Sequence, residues 1–314
     1  MPLILSSVRV REIYVLISIA VMSALFSYIN PRFASSDALY SILNLATELG
    51  IIAIGVSLLM IAGGFDLSVG SVYAFAGIIT ITMLNHGYSY PAAFLAAAVF
   101  AIAIGTINGV ITVYGRIPSF IATLGMMWLL RGVLLAITGG FPAGVERLPP
   151  ESMVMSYKLV GDLSASTIWF LAMVVILNAI MTQTALGNQL QAVGGALNVA
   201  RALGVRINRV RIIAFIISSL CASIAGQVAV VRFRIIEPTA GQGIELEAIA
   251  ASVLGGTLLT GGVGSIVGAA LGAVLVSTIR VGLIFAGAPA YWYIGFIGAL
   301  LIIVGIISLR RLME

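Results

Sequence analysis

Ten long apolar runs with almost no charge inside them decide what this chain can fold into. They fall at about 13–29, 38–62, 67–84, 91–113, 117–138, 165–183, 210–231, 246–259, 263–286 and 293–309. Most approach the roughly 20 residues that a helix needs to cross the hydrocarbon core of a bilayer. Inside that core every backbone polar group must be bonded internally, so such runs are helices. The chain is 61% hydrophobic and 9% charged, against about 25% charged in a soluble domain. The predicted fold is therefore all-α, a polytopic transmembrane helix bundle of about ten spans. No polar stretch is long enough for a separate soluble unit, so residues 1–314 are read as one transmembrane domain.

Orientation follows from the basic residues. Threaded from an inside start, the runs leave Arg9, Arg11, Arg116, Arg201, Arg206, Arg209, Arg211, Arg310 and Arg311 on the inner side. Arg32, Arg147, Lys158, Arg232 and Arg234 fall on the outer side, and Arg131 and Arg280 lie within runs. The inner excess matches the positive-inside bias, which the reverse threading breaks. Both termini are therefore expected in the cytoplasm. The net charge of +5 then reflects membrane orientation, and nucleic-acid binding has no support. Arg9 and Arg11 ahead of the first run also suit a signal peptide, but no small-residue cleavage site follows, so the run is read as retained. Cys221, the single cysteine, excludes an intrachain disulfide and reads as core filling.

Two stretches interrupt the apolar pattern with glycine. Residues 63–71 read GGFDLSVGS and residues 255–265 read GGTLLTGGVGS. Gly63, Gly64 and Gly70 in the first, and Gly255, Gly256, Gly261 and Gly262 in the second, are clustered rather than periodic, which marks helix breaks. With five runs on each side of residues 145–163 and both termini on one side, the second half enters the membrane in the opposite sense to the first. That arrangement suits an inverted internal repeat, and broken helices at matching places in two halves point to a transport pathway near the midplane. Gly264, Gly268 and Gly272 instead recur every four residues, a small-residue stripe suited to close packing within the subunit or at a subunit interface.

Asp66 stands in the first break. Its carboxylate suits the N-cap of a helix beginning near Leu67, and it also suits the wall of a substrate route. Glu48 lies about two to three turns inside an apolar run. A carboxylate facing lipid there costs roughly 2–4 kcal/mol, so Glu48 points into the bundle, pairs, or takes up a proton. Arg131 and Arg280 are the cationic partners the runs offer. Asn44, Ser68, Ser71, Asn108 and Thr123 supply hydrogen-bonding groups for a wet path, and would serve helix–helix hydrogen bonding as well.

The 187–211 segment is the longest polar stretch on the inner side, with helical character from 197 to 203 and arginines at 201, 206, 209 and 211. It suits an anchor on anionic lipid or a docking helix for a cytoplasmic partner. A P-loop requires GxxxxGK[ST], and the only lysine, Lys158, follows Met155, Ser156 and Tyr157, so nucleotide hydrolysis on this chain is not expected. His86 is the only histidine, with no ligand cluster around it, so neither a metal site nor an intramembrane enzyme is expected.

Several blocks in order along about residues 44–309 carry a family resemblance. The first is Gly63, Gly64, Asp66, Leu67, Ser68, Val69, Gly70 and Ser71, with Phe65 where the family usually has isoleucine. The second is Pro118, Phe120, Ile121, Thr123, Leu124 and Gly125, followed by Arg131 and Gly132. The third is Ala192, Val193, Gly194, Gly195, Ala200, Arg201 and Gly204. The fourth includes Glu245, Leu246, Ile249, Ala250, Ala251, Gly255, Gly256, Thr257, Gly261, Gly262, Gly264 and Ser265. In these the chain resembles the monosaccharide-type permeases of bacterial ATP-binding cassette importers, the ribose and galactose permease family. It departs after Gly195, where Ala196, Leu197, Asn198 and Val199 replace the family's common Asn-Pro-Glu-Ala.

The resemblance implies a permease of the inner membrane that moves a monosaccharide or sugar-like solute by alternating access. A periplasmic sugar-binding protein delivers the solute to a dimer of this chain with a second copy or a paralogue. A cassette ATPase subunit binds ATP and Mg, so this chain binds no cofactor itself; membrane lipid completes its partners. The coupling contact is implied at Gln191, Gly194, Gly195, Leu197, Asn198, Ala200, Arg201 and Gly204. Two alternatives remain at this stage: an ion-coupled secondary transporter relaying protons through Glu48 and Asp66, and a cassette permease for a branched-chain amino acid or nucleoside. Branched-chain amino acid permeases usually lack the GGFDLSVGS pattern, which favours a sugar.

Overall fold

The computed structural model describes residues 2–289 and 291–313, with the side chains of 12–155, 157–289 and 291–302. Arg9, Arg11, Arg310 and Arg311, used above for orientation, have side chains outside the described set. In chain order the helices are α1 (Pro2–Ile29), α2 (Ser36–Ile61), α3 (Val69–Asn85), α4 (Tyr90–Tyr114), α5 (Ser119–Thr138), α6 (Met153–Ser156) and α7 (Ser166–Gln183). They continue with α8 (Ala185–Gly195), α9 (Leu197–Ala202), α10 (Ile207–Phe233), α11 (Ile244–Leu254), α12 (Ile266–Phe285) and α13 (Tyr291–Met313). Two short strands, β1 (Ala143–Gly144) and β2 (Ile235–Ile236), pair antiparallel. The molecule is an all-α polytopic bundle.

Among the described residues, seven helices are long and apolar enough to cross a membrane: α1 over Glu12–Ile29, α2, α4, α5, α7, α10 and α12. α3 has 17 residues, and α13 is apolar over Tyr291–Ile302. The run at 246–259 is not a span, because α11 has 11 residues. At 1.5 Å per residue that is about 16 Å, half of a hydrocarbon core. Gly255 caps α11 and Gly256 turns the chain at φ +92°, a conformation glycine adopts without steric cost.

Capping fixes where several helices start. The Ser35, Thr184 and Ser265 side chains accept backbone N–H groups from Ala38, Gly187 and Gly268, opening α2, α8 and α12. α2, α12 and α10 form the centre, 78%, 72% and 67% buried over their most apolar stretches, whereas α1, α5 and α7 are 11%, 28% and 28% buried. Their exposed apolar residues, such as Leu16, Val133 and Val175, face lipid, which is as apolar as they are. The Gly264, Gly268 and Gly272 stripe packs inside the subunit. A Cβ at Gly268 would lie 2.0 Å from Gly255 O, and one at Gly272 2.0 Å from Ala251 O, so α12 meets α11 backbone to backbone.

Contacts sort the turns onto two opposite faces. On one, the α4–α5 turn with Arg116, α9 with Arg201, the start of α10 with Arg211 and the end of α2 surround a common cavity. On the other, the end of α10 with Arg232 and Arg234 shares a cavity with Lys158 and Asp162, and Asn30 Nδ2 donates to Phe285 O at 2.7 Å. Arg201, Arg206, Arg209 and Arg211 thus cluster with Arg116 at one end of the bundle, as the threading grouped them.

Candidate functional site: a buried polar network, an ion-pair cluster and a glycine junction

α2 ends at Ile61 and the chain runs through a break at 62–68, turning at Gly63 with φ +78°. Helix α3 then starts at Val69, later than expected, with Ser68 rather than Asp66 as its N-cap. Gly70 is not a break: it lies in the first turn of α3, and its missing Cβ admits Gly241 O, 2.3 Å from where that atom would sit.

Asp66 is fully buried and is the hub of a network. Its Oδ1 accepts from Ser68 N at 3.0 Å and from Ser68 Oγ at 2.6 Å, and its Oδ2 accepts from Ser218 Oγ of α10 at 3.1 Å. Asn108 Nδ2 of α4 donates to Ser68 Oγ at 2.9 Å. From α5, Thr123 Oγ1 accepts from Leu67 N at 3.1 Å, and Ser119 Oγ from Phe65 N at 3.0 Å. Ser71 Oγ donates to Met127 O at 2.9 Å. The break thus has backbone N–H groups met by α5 and by Asp66, while α4 and α10 hold its Ser68 and Asp66 side chains, as burial at membrane depth requires. Asp66, Ser68, Ser71, Asn108 and Thr123 come together here, all at 0% exposure, with buried Asn108 Oδ1 left as a spare acceptor.

Asn44 and Glu48 lie apart from that network, toward the other face. Glu48 pairs with neither Arg131 nor Arg280: Arg232 donates to Glu48 Oε1, and Tyr73 Oη donates to Oε2 at 3.0 Å. Arg232 was assigned to an outer loop, but α10 runs through Phe233 and places it in the last helical turn. It also donates to Asn44 O at 3.0 Å, while Asn44 Nδ2 donates to Asp162 O at 2.9 Å. Arg280 lies 3.8 Å from Glu247 and stacks on Tyr293, whose hydroxyl donates to Glu247 at 2.8 Å. Glu48, Glu247, Arg280 and Tyr293 line one small cavity of about 40 Å³.

Arg131 holds a second discontinuity. Its Nη1 donates to Pro238 O and to Ala240 O, at 2.5 and 3.0 Å. Arg131 sits twelve residues into α5, about 18 Å along a helix of about 30 Å. The 237–243 turn, read as part of an outer loop, therefore dips to the middle of the bundle before α11 begins. Gly241 and Gly243 make its corners at φ +73° and +89°, and Glu245 Oε1 accepts from Gly243 N at 3.1 Å. Pro238 and the two glycines were the sequence signal for this turn; Ser218 had only its place in an apolar helix to mark it.

The third feature is a glycine junction. Gly262 N donates to Ile61 O at 2.8 Å, joining the second break to the end of α2. A Cβ on Gly194 would meet Ile61 O at 1.9 Å and Gly262 N at 2.6 Å; one on Gly261 would meet Gly63 Cα at 3.0 Å. The end of α8 thus rests, backbone on backbone, against both breaks. Beyond it Ala200 is buried and Leu197 packs on the core, whereas Gln191, Asn198, Arg201 and Gly204 are exposed. Val199 and Leu203 are apolar yet 57% and 75% exposed.

This architecture, a lipid-exposed helical bundle with interrupted helices meeting at a buried junction, is that of a multi-pass membrane permease. The chain belongs to the family described as branched-chain amino acid transport system / permease component, whose model matches residues 38–305. Among its relatives, the ribose import permease protein RbsC of Escherichia coli (strain K12) is 36% identical over 279 residues, 88% of this chain and 87% of that protein. The autoinducer 2 import system permease protein LsrC of Escherichia coli (strain K12 / DH10B) is 35% identical over 282 residues, 90% of this chain and 82% of that protein. No solved structure matches the chain.

Proposed function

We propose that this chain is the permease subunit of an ATP-binding cassette importer that moves a monosaccharide or sugar-like solute across the bacterial inner membrane by alternating access. Its relatives are named for import of ribose and of autoinducer 2. The observation that carries the reading is the glycine junction. A force on α8 and α9 reaches the breaks of both halves at once, because Gly194 leaves no side chain between α8, Ile61 and Gly262. The exposed Val199 and Leu203 on the arginine-rich face give a cytoplasmic ATPase an apolar hold on that lever. ATP and Mg are bound by that subunit, and this chain carries no cofactor. The functional unit is a dimer of the permease with a second copy or a paralogue, fed by a periplasmic sugar-binding protein. Both termini lie in the cytoplasm, residues 1–314 act as one domain, and its two halves form an inverted repeat.

The test is reconstitution in liposomes with the ATPase. Solute uptake is expected to require ATP and the binding protein and to survive collapse of the proton gradient. Asp66→Asn should lower uptake without changing its pH dependence, since it weakens a structural hub and removes no proton relay. Accumulation by this chain alone on a proton gradient, abolished by Asp66→Asn or Glu48→Gln, overturns the reading.

A further inference from the structure

The cavity on the arginine-rich face shares Leu197 and Arg201 with the coupling segment, but its other cations, Arg116 and Arg211, have no part in coupling. It measures about 780 Å³, within the range of small-molecule sites. It lies between the first break, the α4–α5 turn, α9 and the first turns of α10. Its polar lining is Thr112, Tyr114, Arg116, Ser119, Arg201, Asn208 and Arg211, and among the described residues no carboxylate lines it. Among the described residues none of its three arginines takes part in an ion pair. Among the described residues, Arg211 Nε and Thr112 Oγ1 are buried with no hydrogen-bond partner. A guanidinium N–H taken out of water and left unpaired calls for an acceptor. Arg116 is held at φ +56°, a left-handed conformation that residues other than glycine seldom adopt. Strain of this kind concentrates at ligand clamps.

We propose that this cavity binds a phosphate-bearing anion of about the size of a sugar phosphate. Guanidinium forks match phosphate oxygens two at a time, and three of them in one concave site, with Thr112, Ser119 and Asn208 for the neutral part, suit a phosphate ester. An occupant bridges α9, the α4–α5 turn and the break at 62–68, so it ties the coupling segment to that break. The ligand's phosphate has two sources, a soluble ester or the headgroup of an anionic lipid. Only the choice of compartment rests on the proposed orientation; binding does not.

The test uses the full chain in phosphatidylcholine nanodiscs, where both faces are open, with calorimetric titration of ribose 5-phosphate and of ribose. Ribose 5-phosphate is expected to bind and ribose not to. Arg116→Gln and Arg211→Gln should each weaken binding about tenfold or more, as loss of a charge-assisted hydrogen bond does. Arg211→Lys, which keeps the charge and loses the fork, should fall between, and Arg209→Gln, exposed and outside the lining, should change nothing. Binding in phosphatidylcholine alone assigns the soluble source. Failure of ribose 5-phosphate, with phosphatidylglycerol retained through purification by the native chain and lost in Arg116→Gln and Arg211→Gln, assigns the lipid. No binding of either ligand overturns the site, as does an equal loss in Arg209→Gln. Binding that disappears when the ATPase is docked also overturns it, by giving the cavity to that subunit. An inverted topology would appear separately, as labelling of Arg206→Cys from outside with phosphate binding intact.

Discussion

Glu48 and Arg232 show what one charged pair costs when it is placed in an apolar bundle. Their side chains are 12% and 16% exposed, so each depends on the other and on Tyr73 for compensation. Removing one partner of such a pair destabilises by about 3–5 kcal/mol, because the charge left behind is desolvated and unpaired. Arg232→Ala is therefore expected to lower the unfolding temperature of the purified chain sharply, and the double change Glu48→Gln with Arg232→Gln to cost less than the single one. Equal melting curves for Arg232→Ala and the native chain would remove the pair from the account. That Glu48 needs a partner was legible from one carboxylate in an uncharged run. The partner was not, because Arg232 falls just beyond the last apolar residue of its run and a charge there reads as loop, although its long side chain reaches back to Asn44 and Glu48.

At the scale of elements, apolar composition located the helices well and their lengths less well. α2, α4, α5, α7, α10 and α12 stand where the runs put them. α11 does not span, since a run cannot tell a half-helix plus a glycine turn from a full crossing: both are apolar because both are buried. The 237–243 turn was hidden for the converse reason. Its polar backbone is met locally by Glu245 and, from a segment more than a hundred residues away, by Arg131, so it looked like a solvated loop. The buried hub around Asp66 was half legible, in that five of its side chains were named separately, whereas Ser119 and Ser218 were not, and their meeting required the packing of α4, α5 and α10 on the break. Element-scale coupling gives a direct prediction. Val199→Glu with Leu203→Glu should leave the permease inserted at normal levels and uncouple ATP hydrolysis from uptake, whereas Leu197 and Ala200, being inward, test packing. Gly194→Ala should uncouple as well, since its Cβ would sit 1.9 Å from Ile61 O; normal coupled uptake in both variants would show that α8 and α9 carry no force.

For the whole molecule, the two faces are structural facts and their assignment to compartments is testable in one preparation. Cys221 is 2% exposed, so the native thiol is shielded and a single added cysteine reports alone. In sealed cells a membrane-impermeant maleimide should label Lys158→Cys and spare Arg206→Cys, and in inverted vesicles the pattern should reverse. Labelling of both from one side would dissolve the two-faced arrangement itself.

The half-length of α11 also dictates how the chain is made. A segment of 11 residues emerging from the ribosome is too short to partition into lipid as a span, and the preceding turn carries backbone that lipid cannot satisfy. Residues 237–254 are therefore expected to insert only once α12 follows and offers the glycine face on which α11 lies. The two enter as a hairpin, and a nascent chain halted before residue 266 should still be extractable at this segment.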